Sequence, residues 1–535
     1  MTLHSRLYIL LSMMLLTVSM MAQDSLPIVE IKADRTIIYP QRMELTGEET
    51  LMDVLQMVPD LMIAGYQDVL SIYNSNYNLR IDNAPINGDN RLIISQMKAK
   101  DIEKIQICDN TGVAKGTIGT NNVLDINMKM PDGAKGFVEG QGDFGYKAEG
   151  YATANMLYGS KGTDLYANAT YSYQEGKKDY VTLHMTNRFD ERNKLLTYFT
   201  QQFIEMPYDM TRKVMGRARY FHTFNDMGTE LLILGGYQYS SDPYVSNKLP
   251  KYVLELNTPL FTKSLSMMLG TEGDYLISRQ KDRDWGWHIF NHDIYLQFTY
   301  TLPRWRFTAG NRIMFYGYKL SNNDESRRYS DTRNNTNACA IFVPNNRNQW
   351  LLGYYRKYYN PAYEALFLNT ITLSYDDWLL IEDELDEWDI NQVKLAYTYS
   401  KPKLTIQAEA SHYIVEDDDN FTELNSSVYW KNRWLTLTGG AHMYFAKDNA
   451  SAALRLSPTA QLPHQWQIGM QMVYYTKKAP QRTIYGTPVY GCLTVSKQLD
   501  EHWFMSIDWH DMIDPLSDLT VTSRHAGNIK LQYRF

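Results

Sequence analysis

From residue 136 to the C-terminus, apolar and polar residues alternate with a period of two. In Leu165–Gln174, the residues Leu165, Ala167, Ala169, Tyr171 and Tyr173 alternate with Tyr166, Asn168, Thr170, Ser172 and Gln174. In Leu404–Ser411 the apolar set is Leu404, Ile406, Ala408 and Ala410, and the chain closes with Ile529, Leu531, Tyr533 and Phe535 on one face. Successive side chains of a strand point to opposite faces, so each segment predicts a strand with one apolar and one polar side. The connections alternate too, shorter and longer. Leu320–Asn337 reads as the longest loop, on the outer side, Thr301–Arg304 as a link on the inner side, and Ser400–Lys403 as a tight turn. The count is about 22 antiparallel strands, or 24 if the region around Asp376–Trp388 adds a pair.

Ahead of this region the pattern differs. Glu48–Val58 places Leu51, Val54, Leu55 and Val58 at helical spacing and ends at Pro59, which predicts a short amphipathic helix. Strand-like pieces follow at Asn78–Asp82 and Lys104–Ile107, and Asp132, Gly133 and Gly136 mark a boundary. At the start, Arg6 precedes an apolar run, Leu7–Met21, ending at Ala22, the pattern of a secretory signal cleaved after Ala22. The expected division is a signal peptide at 1–22, a small α+β domain at 23–135 and a β-domain at 136–535.

Composition changes one part of this picture. Tyr (41), Trp (11) and an aromatic content of 13% are high for a chain with 21% charged residues. A soluble sandwich also alternates. A leader, aromatic pairs near strand ends (Tyr171 and Tyr173, Tyr397 and Tyr399, Tyr474 and Tyr475) and an undivided region of this size favour a transmembrane β-barrel with aromatic girdles. A barrel this large has a lumen wide enough to hold the N-terminal domain as a plug. The net charge of −7 argues against a nucleic-acid partner. Cys108, Cys339 and Cys492 lie far apart and form no metal or disulfide framework. With no HExxH and no G-x-S-x-G, no catalytic site, metal site or cofactor is implied.

These residues resemble the TonB-dependent outer-membrane receptors, in particular their compact outer-membrane beta-barrel branch. Thr50–Pro59 is similar to the opening helix of that family's plug, and Leu79–Pro85 (Leu79, Arg80, Ile81, Asp82, then Pro85) resembles its I-D-G-x-P turn. Ile102–Ile107, with Ile102, Glu103, Ile105 and Ile107, resembles its I-E-x-I-E-V strand, and Val123–Lys129 its closing strand. Gly353–Phe367 and Glu384–Tyr399 resemble barrel segments, and Tyr533 with the terminal Phe535 resembles the barrel assembly signal. Asn83, Asn121 and Asn122 stand where the family carries glycine.

The resemblance implies an outer-membrane receptor with plug and termini on the periplasmic side. Its partners would be outer-membrane lipid, the TonB energy-transducing protein and a scarce nutrient ligand. It also implies a TonB box near the mature N-terminus, for which Pro27, Ile28, Val29, Glu30 and Ile31 are the candidate; the alternative is that they form the first plug strand. The other functional reading is a non-transporting structural or assembly subunit of an outer-membrane complex, with an outer-membrane partner. The acidic runs Glu382–Asp389 and Glu416–Asn420 are candidate cation contacts or solvated loops, and Arg327, Arg328 and Arg333 candidate anion contacts.

Overall fold

The computed structural model describes residues 27–32, 35–43, 51–55, 61–63, 69–71, 78–81, 84–85, 97–108 and 123–129 of the N-terminal region. Beyond it, residues 132–144, 149–173, 177–206, 209–262, 264–281, 286–321, 326–359, 388–415, 420–447, 449–478, 489–500, 502–510 and 527–534 are described. The leader, Asp82, Asn83, Asn121, Asn122, Asp376, the runs 382–387 and 416–419, and Phe535 lie outside them.

Twenty-two antiparallel strands, from β9 (Gly133–Phe144) to β30 (Gly527–Arg534), pair in sequence order and close when β30 meets β9. At the seam, Gln532 Nε2 donates to Glu139 Oε2 at 2.9 Å, and Lys530 Nζ lies 3.6 Å from Glu139 Oε1. The expected 22 strands are therefore present and the alternative of 24 is not.

Burial is inverted relative to a soluble sandwich. On β30, Ile529 and Leu531 are 50% and 44% exposed, whereas Lys530 and Gln532 are 6% and 3% exposed. The apolar face points outward and the polar face into the lumen, as a lipid-facing barrel requires. Exposed Trp305, Trp434, Trp466 and Trp503 cluster at or beside the turns of one rim, where indole rings suit the boundary between hydrocarbon and water.

The same rim receives the chain from the N-terminal domain at Gly133, and the last strand reaches it at Arg534. Gly133 has φ +102, a left-handed conformation that favours glycine. Turns here are short: 302–304 and 402–403 connect β18 (Gly286–Thr301) to β19 (Trp305–Ser321) and β22 (Trp388–Lys401) to β23 (Leu404–Val415). Strand β21 (Asn348–Tyr359) ends and β22 begins at the opposite rim, with residues 360–387 between them in sequence.

The expected long loop Leu320–Asn337 is overturned. Only 322–325 connect β19 to β20 (Ser326–Asn345), and the register runs unbroken from Ser321↔Ser326 to Gly310↔Asn337. The stretch Ser326–Asn337 is polar on both faces, which looks like a loop by composition; cross-strand pairing with β19 holds it extended.

The N-terminal domain is built on a six-stranded sheet. Its order is β1 (Val29–Ile31), β2 (Thr36–Ile38), β7 (Ile102–Cys108), β8 (Val123–Met128), β5 (Asn78–Ile81) and β6 (Ala84–Pro85). Strand β5 runs parallel to β8 and the other pairs are antiparallel. Helix α1 (Leu51–Leu55) buries Leu51, Val54 and Leu55 of the expected apolar face, Val58 lying outside the described residues, and Leu51 N–H donates to Met97 O at 2.8 Å. The core of this sheet is continuous with the barrel wall, since Leu157, Tyr166 and Tyr429 pack into the same apolar cluster. The domain is a plug.

Candidate functional site: the plug and the lumen wall

The plug meets the wall differently on its two sides. On one side it is fastened. Ser400 Oγ accepts from the amides of Ile28 (2.9 Å) and Val29 (3.3 Å). Gln349 accepts from Ile31 N–H at 2.8 Å through Oε1 and donates to Val29 O at 3.1 Å through Nε2. Its side-chain amide thus pairs with Val29 O and Ile31 N–H on the edge of β1 that faces the wall, as a neighbouring strand would. Ile31 also packs on Ile341, Leu351 and Ala396 of the wall.

Charge reinforces this contact. Glu30 pairs with Lys32, accepts from Tyr39 Oη at 3.1 Å and lies 4.0 Å from Arg306 of β19. Burial opposes ionisation of Glu30, but these partners outweigh it and hold the carboxyl below its ordinary 4.5. Burial and the neighbouring Glu30 push the Tyr39 hydroxyl upward.

The wall near this contact carries charges that are neutralised in place. Arg312 on β19 donates through Nε to Asp293 Oδ2 at 2.8 Å and through Nη2 to both Asp293 (2.5 Å) and Glu272. Glu272 and Asp293 face each other across β17 (Leu265–Gln280) and β18, which fixes the carboxylate pair that the guanidinium bridges. Tyr295 lies under the guanidinium, 5.0 Å from ring centroid to Cζ, and donates to Glu255 at 2.8 Å. Its ring fills the space above Gly270, its cross-strand partner, where a Cβ would collide with it. Lys394 and Glu409 form a further lumen pair at 2.6 Å.

A few strands along the wall from this cluster the pattern is different. Strand β14 (Asp209–Thr223) presents Lys213, Met215, Arg217, Arg219 and Phe221 at alternate positions on its inner face. Among the described residues, no carboxylate lies within ion-pair distance of Lys213, Arg217 or Arg219. Arg80 of the plug lies within electrostatic reach of both arginines, as do Asp274 for Arg217 and Asp125 and Glu255 for Arg219, and the Arg80 Nε is buried without a hydrogen-bond partner among the described residues.

Between this wall and the plug is a cavity of about 880 Å³ opening near the plug-side turns. Lys104 and Lys129 of the plug line it with Lys161, Arg188, Lys194 and Arg219 of the barrel. Glu103, Asp132 and Asp164 are its carboxylates, and Asp164 is taken by Arg188.

The residues singled out in the sequence fall as follows. Pro27 precedes β1, and Ile28, Val29 and Ile31 are buried in the fastened contact, with Glu30 in its charge network. Leu79, Arg80 and Ile81 form β5, parallel to β8, and Pro85 of β6 pairs with Arg80. Ile102, Ile105 and Ile107 are core residues of β7, and Glu103 on the same strand lines the cavity. Tyr533 is on the outer face, against Trp503 at 5.0 Å. Cys108 is buried in the plug. Asp389 pairs with Arg356 at 2.8 Å, and Arg333 with Asp331 at 2.6 Å, so neither faces a free loop. No group of three metal-ligating side chains occurs among the described residues. Sequence reading missed Gln349, Ser400, the Arg312 cluster and the β14 cations. The last left a trace, because Lys213, Arg217 and Arg219 share a parity within one strand.

No protein-family model matches the sequence, and no curated protein matches it. Solved structures do. The siderophore receptor PirA from Pseudomonas aeruginosa superposes with a TM-score of 0.67 at 11% identity, covering 95% of this chain and 100% of that one. The open form of the ferric-catecholate import receptor Fiu from E. coli K12 gives 0.66 at 11%, covering 96% and 100%. The copper transporter OprC gives 0.66 at 10%, covering 96% and 100%. The chain has the fold of the TonB-dependent outer-membrane receptors: a closed 22-stranded barrel around an N-terminal plug.

Proposed function

We propose that this protein is a TonB-dependent receptor that binds a scarce nutrient at the outer face and imports it past the plug. The observation that carries this reading is a separately folded plug sheet held against one lumen wall and parted from another stretch of wall by a polar cavity. The short turns around Gly133 and Arg534, with the longest connecting sequence starting and ending at the other rim, support a periplasmic position for plug and termini. Ligand capture then belongs to the opposite rim.

Passage requires the plug to shift or partly unfold, and the Gln349 and Ser400 contacts oppose that. Buried backbone groups must stay hydrogen bonded, so work has to come from a partner reached through the N-terminal segment. If Pro27–Ile31 is the segment that adds to TonB as a strand, its edge must first leave Gln349 and Ser400. Ligand chelates and metals are named for the similar structures; this chain's nutrient is a separate matter of its own lumen chemistry.

The test uses cells whose growth depends on this protein. Removing residues 23–31, or removing TonB, should abolish growth while the barrel remains in the outer membrane. Unchanged growth in both cases, with a stoichiometric partner recovered in mild detergent, would overturn import and favour the structural-subunit reading.

A further inference from the structure

The lumen's cations fall into two sets. Arg312, Lys394 and Lys530 each face a carboxylate within ion-pair distance. Among the described residues Lys213, Arg217 and Arg219 do not, although Asp274 acts on Arg217 and Asp125 and Glu255 on Arg219 from beyond that distance, and the three stand on one face of one strand. Neighbouring residues on that face are about 7 Å apart, so their mutual repulsion is appreciable in a partly desolvated site. Arg80 on the plug adds a fourth positive group, whose buried Nε has no hydrogen-bond partner among the described residues.

The rim cavity extends this series. With Arg188 and Asp164 paired, it retains Lys104, Lys129, Lys161, Lys194 and Arg219 against Glu103 and Asp132. A folded chain that keeps mutually repelling cations with no ion-pair partner among the described residues loses stability there. An anion relieves that loss.

We propose that β14 and the facing plug surface form an anion-binding track, and that the solute crossing this barrel carries oxyanion groups, carboxylate or phosphate. The inference rests on the import reading and specifies its cargo chemistry. The guanidinium groups of Arg217 and Arg219 hold oxyanions through paired N–H donors. Lys213 and the rim lysines extend the attraction along the strand in both directions. The solute passes between plug and β14, away from the fastened contact of β1.

Pyranine, a rigid pyrene trisulfonate, serves as probe. Its fluorescence anisotropy is titrated with full-length protein in detergent, each variant checked for folding by its heat-modifiable gel mobility. The expected result is salt-sensitive binding that weakens about tenfold or more in Lys213→Gln/Arg217→Gln/Arg219→Gln. Arg217→Lys/Arg219→Lys should retain most of it. Neutralising exposed turn cations (Arg304→Gln, Arg433→Gln, Lys447→Gln) should change it less than about twofold. Citrate and pyrophosphate are then used as competitors, and the better one identifies carboxylate or phosphate chemistry. Equal binding by wild type and the β14 triple variant, or displacement by neither competitor, would overturn the track. That outcome leaves import standing, because the growth test on TonB and residues 23–31 is read independently of it.

Discussion

Two walls of one lumen, built from strands of the same kind, handle charge in opposite ways. Around β17–β19 a guanidinium bridges two carboxylates over a tyrosine ring, and the plug's first strand is stitched to the adjoining wall by Gln349 and Ser400. Around β14 three cations stand without ion-pair partners among the described residues, beside a polar cavity. The difference teaches where such a barrel holds its plug and where it leaves room. A satisfied wall is a fixed contact; an unsatisfied one waits for a partner.

Breaking the satisfied wall should have the largest effect. Arg312→Ala leaves Glu272 and Asp293 facing each other with no counter-charge, and should cost about 3–5 kcal/mol, read from the urea midpoint of barrel unfolding. Next is Gly270→Ala, whose new Cβ meets the Tyr295 ring. A cost of about 1–3 kcal/mol is expected as ring and guanidinium are displaced together.

On the β14 wall the sign reverses. Arg217→Gln should leave stability unchanged or raise it by up to about 1 kcal/mol at low ionic strength, and the gain should shrink in high salt. A loss comparable to that of Arg312→Ala would erase the distinction between the walls.

Much of the barrel is legible in the sequence because lipid imposes alternation: Ile529, Leu531 and Tyr533 must face outward whatever the protein does. Strand β20 was misread as a loop because Ser326–Asn337 carries no apolar face to mark it; only its pairing with β19 makes it a strand. The Arg312 cluster was hidden for another reason. Glu272, Asp293 and Arg312 come together only through the register of three strands, which local sequence does not state. Gln349 and Ser400 are ordinary lumen-facing polar residues until the plug's position is known. The β14 cations were missed as well, although the parity of Lys213, Arg217 and Arg219 within one strand places them on one face.

The smallest effect concerns the fastened contact. The Glu30 carboxyl is held below 4.5 in the fold, so its contribution is present above that value and is lost as pH falls through the lowered one. Amide exchange in β1 and β2, corrected for intrinsic rate, should therefore quicken at acid pH by a few tenths of a kcal/mol in opening free energy. Glu30→Gln should abolish that pH dependence, whereas β14 variants should leave it intact.

The most direct test compares the two walls with one reaction. Leu196 lies across from Arg219 as Asn335 lies across from Arg312. In a background with Cys108, Cys339 and Cys492 replaced, single cysteines at Leu196 and Asn335 are modified by anionic and cationic methanethiosulfonates. The anionic-to-cationic rate ratio should be at least about tenfold greater at position 196 than at 335. Equal ratios at the two positions would contradict the account.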